Sequence, residues 1–516
     1  MTSSSLNRSA TAEALAKEEA VAAEAPVKLE LVAELPHTIA SRFVILIICL
    51  AMVLSTLAYG TVHTWSLAFF QAGAAAIVFF WAVDAWRTGW LRVSRNALQL
   101  PLIGLALIGL VQLLPIGAAI GTDALSVEPV KTLSLDPFWT RIAIIQIVSL
   151  TIYFAATLAF VDSPRRLRLM VRTITIFGFL LALFSMMQAF TSQGKIFWVA
   201  ELKDAIPFGP FINRHHFAGY MELALALPLA LALAGGAVEA DRRLLYGFAA
   251  GLMGIALIMT NSRGGLVSLV AEIVFLISLT EFRARKEGDA TEERSGLRPV
   301  AIRLGLAFAL LLAIVFGSLL YGGEESLSRF FGTVNSQDPT TGRAHFWSVT
   351  LEIIRDHPLL GAGLGAYSLA YTRYDTRGGQ FRVEQAHNDY LQILSDAGIV
   401  GAALGLVFII ALFRLGFIRR QSRDPFRRAV ATGAMTGCFA VLVHSFFDFT
   451  LHTTANALLF LLLAALATVN GRVEEAPKKK KRRRRRRSSS AEALEQAKAE
   501  SDARSIESSG EVAASV

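Results

Sequence analysis

Charge is scarce in this chain. Charged residues make up 18% of its 516 residues, against 54% hydrophobic residues and a mean hydropathy of +0.50. Soluble domains carry about 25% charged residues, so the shortage excludes an ordinary soluble enzyme and points to an all-α polytopic membrane protein. Cysteine is scarcer still. Cys49 and Cys438 stand alone, both inside apolar runs, which excludes a disulfide framework and a cysteine metal site. No two aspartates stand as Asp-x-Asp, so the metal–diphosphate clamp usual in nucleotide-sugar glycosyltransferases is missing. There is no P-loop either, which excludes an ATP-driven pump. The first forty residues hold no short apolar core, so no cleavable signal peptide is expected.

What charge there is lies unevenly. The net charge is +9, and Lys478 to Arg487 are ten consecutive basic residues. Without them 40 basic residues face 41 acidic ones, a net charge of −1. Basicity is thus a property of the tail, and nucleic-acid binding by the rest of the chain has no support. The tail is expected to be cytoplasmic and disordered, with its basic run anchored on anionic inner-leaflet lipids.

From Arg42 onward, apolar runs of about 17–22 residues alternate with short polar loops, the length a helix needs to cross about 30 Å of hydrocarbon. Twelve spans are expected: 42–60, 65–85, 98–117, 141–161, 171–190, 216–236, 244–262, 264–281, 301–320, 393–413, 428–448 and 455–470. Residues 1–41 form a largely disordered leading segment, 42–320 carry nine spans, 321–392 form one large outer loop, 393–470 carry three spans, and 471–516 are the tail. Alternate loops differ in basic residues. One set holds Arg87, Arg92 and Arg95, then Arg165, Arg166 and Arg168, then Arg419, Arg420 and Arg423, while the opposite set is sparse in its short loops. Both termini are therefore expected on the cytoplasmic side. The large loop carries several arginines on the outer side, which the charge rule tolerates in long segments.

Four stretches carry chemistry. Asn261-Ser262-Arg263-Gly264-Gly265 places an arginine at the membrane boundary with nothing acidic nearby in sequence. It is either a snorkelling interfacial residue on a tight glycine turn or an anion site, with Gly264 and Gly265 letting a ligand approach. Pro207 to Phe217 includes Arg214, His215 and His216 after Asn213, a residue suited to cap the following helix. Adjacent histidines point in different directions on a helix and no third ligand is spaced to join them, so no metal site is expected. Lys203, upstream, is either a second anion partner or a solvated loop lysine. Gln385-Ala386-His387-Asn388-Asp389-Tyr390-Leu391-Gln392 opens a span with a histidine flanked by Asn388 and Asp389. His387 is a candidate general base for a sugar hydroxyl, or else a hydrogen-bonded structural residue. Thr341 to Trp347, including Arg343, leads into an amphipathic helix pattern over Val349–Ile354, and His357 to Gly365 follows with turn glycines. These glycines have no preceding strand, so a dinucleotide loop is rejected.

Ser262-Arg263-Gly264, the Arg343…Trp347…His357-Pro358-Leu359-Leu360-Gly361-Ala362-Gly363 run and His387-Asn388-Asp389-Tyr390-Leu391 together resemble the O-antigen ligase and polymerase superfamily of bacterial envelope glycosyltransferases. His444-Ser445-Phe446-Phe447-Asp448-Phe449 resembles some of its members. The resemblance covers about residues 207–470. It implies a GT-C-like glycosyltransferase architecture in the bacterial inner membrane, using neither metal nor other cofactor. The donor it implies is a glycan on undecaprenyl diphosphate. Arg263 would hold the diphosphate, with Arg214 or Lys203 as the second basic residue. His387 would activate the acceptor, supported by Asn388, Asp389, Arg343 and His215.

The acceptor is expected to be another lipid-linked repeat unit of O-antigen or exopolysaccharide. Lipid A-core, as in a ligase, and protein hydroxyls are the alternatives, and other envelope assembly proteins are expected partners. The competing class is a twelve-span transporter or flippase. Transporters show related halves and polar residues at the membrane midplane. Here the halves are unlike and the polar candidates gather at one face.

Overall fold

The computed structural model describes residues 36–116, 131–202, 205–234, 236–288, 343–376, 382–469, 473 and 495–499. The expected span 301–320, Lys203, the leading segment to residue 35, the large loop as far as residue 342 and the basic run of the tail lie outside these residues. Among the described residues the regular elements are helices and no strand occurs. They are α1 Ile39–Leu57, α2 Thr64–Thr88, α3 Gln99–Gln112, α4 Pro137–Phe160, α5 Pro164–Thr191, α6 Arg214–Leu233, α7 Ala240–Met259, α8 Arg263–Gly288, α9 Arg343–Asp356, α10 Tyr367–Tyr374, α11 Asp389–Arg419, α12 Pro425–His444 and α13 Thr454–Thr468.

Nine of these are long and apolar enough to cross a membrane: α1, α2, α4 to α8, α11 and α12. The chain is an all-α polytopic membrane protein. Two expected spans emerge shorter. Helix α3 has 14 residues and α13 has 15, so each is only about 21–23 Å long at 1.5 Å per residue. Polar punctuation sets several starts: Asp136, Ser163 and Asp424 each accept a backbone N–H of the helix that follows, and each is followed by proline at the first helical position.

Helices α6, α12 and α13 are enclosed on nearly all sides. The helices around them keep large apolar side chains facing outward, among them Phe69, Phe79, Phe248 and Ile410. That surface suits hydrocarbon rather than water.

At one end of the bundle α1, α2 and the α4–α5 junction are tied by buried charge. Arg92 bridges Asp84 at 2.8 Å and Asp162 at 2.7 Å, and Arg166 reaches Asp162 at 3.3 Å and Ser41 at 2.6 Å. Arg427, fully buried, donates to the carbonyls of Leu466, Ala467 and Val469 and so closes the C-terminus of α13.

Helix α11 breaks at Gly398, where φ is 65° and ψ is −165°, a conformation open to glycine alone. The turn glycines expected at 361, 363 and 365 all have positive φ and run alongside this break. Ala362 N–H donates to Ser395 O at 2.7 Å and Ile399 N–H donates to Pro358 O at 2.9 Å. Gln112 of α3 spans both, donating to Leu360 O at 2.6 Å and Asp396 O at 2.8 Å. Residues 358–363 thereby take up backbone groups that the interrupted helix leaves open.

A Cβ at Gly398 would lie 2.3 Å from the Leu359 carbonyl carbon, whereas one at Gly254 would meet nothing within 4 Å. Gly398→Ala is expected to destabilise the protein by about 2 kcal/mol or more. Thermal unfolding in detergent measures this, with Gly254→Ala expected to melt like the parent protein.

Candidate functional site

The other end of the bundle gathers the N-termini of α6, α8 and α11 with the segment that follows α12. Asn388 sets the start of α11: its Oδ1 accepts Tyr390 N–H at 3.0 Å and Leu391 N–H at 3.1 Å. Its amide donates to Phe446 O at 3.1 Å. Asp389 is held by Ser445 Oγ at 2.7 Å and by His452 Nδ1 at 2.8 Å. Residues 388–389 are thus stitched across to residues 445–452, and His387 is fixed at φ 52°, an uncommon backbone state for a non-glycine residue.

His387 meets Asp448 across this stitch, Nδ1 to Oδ1 at 3.2 Å. The Asp448 side chain is 1% exposed against 29% for His387. Arg343 lies 3.4 Å from the other carboxylate oxygen and also donates to Phe447 O. The Arg343–Trp347 stretch of α9 has a plain purpose here. Arg343 reaches Asp448, Phe346 stacks on the His387 ring at 5.9 Å, and Trp347 Nε1 donates to Ala386 O at 3.1 Å. One face of one helical turn, at i, i+3 and i+4, supplies all three contacts. With Nδ1 engaged by the carboxylate, Nε2 is the nitrogen left for a substrate.

Ser262 opens α8. Its Oγ accepts Gly265 N–H at 3.2 Å and pairs with His215 Nδ1 at 2.7 Å. The expected glycine turn is corrected here. The chain reverses at Asn261, with φ 53°, and Gly264 and Gly265 lie inside the first turn of α8. Their smallness serves helix packing. A Cβ on Gly264 would come within 2.9 Å of His444 and of Phe447, and one on Gly265 within 2.9 Å of Ala218. The Arg263 end of α8 therefore abuts the segment that carries Asp448. Arg263 itself is exposed.

Arg214, the first residue of α6, lines a cavity of about 220 Å³ with Lys195, Gln188, Thr260 and Asn261. Lys195 was not anticipated as its companion. His215 and His216 diverge as expected: His216 Nδ1 pairs with Thr453 Oγ1 at 2.9 Å, away from Ser262. Behind the site, Glu222 of α6 and His444 of α12 pair at 2.8 Å, both buried. Among the described residues no cluster of three His, Cys, Asp or Glu side chains is placed to hold a metal ion.

The sequence marked His387, Arg343 and Arg263 but not Asp448, whose run was noted only for its likeness to some family members. The protein so defined is a multi-pass membrane protein with a His–Asp pair at one end of its bundle, beside the arginine-bearing start of α8. Residues 248–406 match the family described as O-Antigen ligase. That stretch contains Ser262–Gly265, Arg343–Trp347, His357–Gly363 and His387–Leu391, the motifs on which the resemblance was drawn. Over these residues the chain is similar to that family, which is consistent with the O-antigen ligase and polymerase superfamily. No curated protein matches the chain.

Burial, the largest single influence, would raise the Asp448 pKa, but the hydrogen bond from His387 and the nearby imidazoles of His215, His216 and His387 together outweigh it and hold this carboxyl well below the usual carboxylate range. A depressed folded-state pKa gives stability that is present at neutral pH and drains away as the pH falls below about 4. Asp448→Asn is therefore expected to melt at a lower temperature than the parent at pH 7. The gap should narrow between about pH 5 and pH 3, as followed by thermal unfolding across that range.

Proposed function

We propose that this protein is a metal-independent membrane glycosyltransferase. It moves a glycan from undecaprenyl diphosphate to an acceptor hydroxyl at the periplasmic face of the bacterial inner membrane, with twelve spans and both termini cytoplasmic. The observation that carries the proposal is the contact of the Gly264 turn of α8 with Phe447, one residue from Asp448. It brings an arginine-bearing helix N-terminus towards a carboxylate-held imidazole; Arg263 and His387 fall within the stretch that matches the O-Antigen ligase family, and Asp448 lies beyond it.

The chemistry follows from these groups. Asp448 fixes His387 through Nδ1, and Nε2 takes the proton of the acceptor hydroxyl. The hydroxyl oxygen bonds to the anomeric carbon of the donor, and the bond from that carbon to the diphosphate oxygen breaks with its electron pair leaving on the diphosphate. Arg263, at a helix N-terminus, and Arg214 with Lys195 meet the charge that develops on the leaving group. The lipid diphosphate bond carries its own activation, so no nucleotide is needed.

Polymerisation of lipid-linked repeat units is the reaction we favour. A ligase would use the same groups and differ in its acceptor. The transporter class gains little from this arrangement, because the donor-holding and proton-accepting groups sit at one end of the bundle rather than in paired halves.

Arg263→Ala and His387→Ala are each expected to abolish transfer, by about 10²-fold or more, while the protein inserts normally. The length distribution of lipid-linked and surface glycan in a deletion strain carrying each variant reads this out. Single repeat units left on the carrier mark a polymerase, and full-length chains stranded on it mark a ligase. Wild-type glycan from either variant removes these assignments.

A further inference from the structure

His387 has a neighbour that the mechanism above leaves idle. The Phe449 ring stands edge-on to His387 at 4.8 Å and edge-on to His216 at 4.7 Å. Beyond Phe449 opens a cavity of about 1000 Å³, which Phe449 and His216 line and His387 does not. Its long walls are apolar side chains of α3, α4, α11 and α13, such as Leu105, Ile147, Leu404 and Phe460. Its polar end is built from Gln385, Asp389, His452 and His216. The space accommodates an acyl or prenyl chain together with a sugar ring.

Two atoms at the polar end lack partners. His216 is 7% exposed and its Nε2 makes no hydrogen bond, and the buried Gln385 Oε1 makes none either. Leaving such groups unpaired is unfavourable; both atoms are buried, in residues that line the cavity. Beside them the Asp389–His452 pair, at 2.8 Å, faces the same space. An amide oxygen, a carboxylate and two imidazoles suit a polyhydroxyl ligand.

Charge decides which substrate this is. In the donor the diphosphate is bonded to the very carbon that is attacked, so it must lie beside the base. Around the cavity Asp389 pairs with His452 and Glu384 lies 3.7 Å from Arg382, which leaves Asp136 and Asp396 as the acidic excess. A diphosphate is repelled there and is drawn instead to the cavity of Lys195 and Arg214. The acceptor brings only a hydroxyl to the reaction centre, remote from its own lipid anchor.

We propose that the large cavity is the acceptor site, taking a membrane-embedded glycolipid whose apolar chain lies between α4 and α11. Its sugar head meets the Asp389–His452 pair and Gln385 at the polar end, and its reactive hydroxyl reaches His387 past the edge of Phe449. The proposal rests on the transferase function above and deepens it. The acceptor comes from within the membrane, which excludes protein hydroxyls.

The test uses the full chain in lipid nanodiscs and two photoreactive probes, a decyl glucoside with a diazirine in its chain and a farnesyl diphosphate of the same kind. The glucoside is expected to label α4 and α11 peptides. Ala143→Trp and Ile147→Trp, which fill the cavity wall away from the reacting groups, are each expected to cut that labelling about tenfold. Both variants should also raise KM for acceptor by a similar factor while KM for the diphosphate donor stays put. Two variants guard against one failing to fold, and thermal unfolding confirms that each is intact. Preferential labelling of these peptides by the diphosphate probe overturns the proposal, as does glucoside labelling that neither tryptophan reduces. Because labelling needs no turnover, glycan transfer that persists without cavity labelling removes the acceptor site alone. Labelling without any transfer by the parent protein removes the transferase function and the acceptor role with it.

Discussion

Asp448 stands 3.2 Å from His387 and 3.4 Å from Arg343, with its side chain almost wholly enclosed. An ionised carboxylate in such a place needs both partners, since an unpaired buried charge is strongly destabilising. Three distant stretches of chain converge to supply them: the start of α9, the approach to α11 and the exit from α12. The surrounding features serve that convergence. Asn388 and Asp389 fasten the approach to α11 onto residues 445–452, Phe346 and Trp347 brace the same stretch, and the Glu222–His444 pair anchors the end of α12 to α6.

The same loop acts as a partition. On one side are the basic groups carried by α6 and α8, and on the other is the apolar cavity with its acidic end. Phe449 is the thin wall between them, touching a histidine on each face. Under the proposed function, a polyanionic donor and an uncharged acceptor hydroxyl would occupy neighbouring compartments of unlike charge and have no reason to exchange places.

Much of this was legible in the sequence, because hydrophobic run length is a direct measure of membrane thickness. Helices occur at eleven of the twelve expected spans, and the last falls outside the described residues. His387, Arg263 and Arg343 stood out because polar residues at the mouths of apolar runs are conspicuous. Asp448 did not, since a pairing across 61 residues leaves no periodicity to read. The glycines of 261–265 misled for a related reason: from sequence a glycine that permits close helix packing looks the same as one that makes a turn. Three of the basic residues also have roles that their place beside the spans does not reveal. Arg92, Arg166 and Arg427 fall among the basic residues flanking the expected spans, yet each is buried and occupied, by ion pairs in two cases and by helix-end carbonyls in the third.

The break in α11 at Gly398 ties together pieces of chain that a linear map would treat as separable. Residues 358–363, both halves of α11 and the side-chain amide of Gln112 on α3 share one set of hydrogen bonds to backbone groups. They are inherited or lost as a unit. A chimera that exchanged residues 358–363 with those of a relative, and kept this α3 and this α11, would risk leaving a seam of poorly matched peptide groups at the break. The natural boundary for recombination is therefore set by hydrogen-bond ownership and not by the edges of the apolar runs.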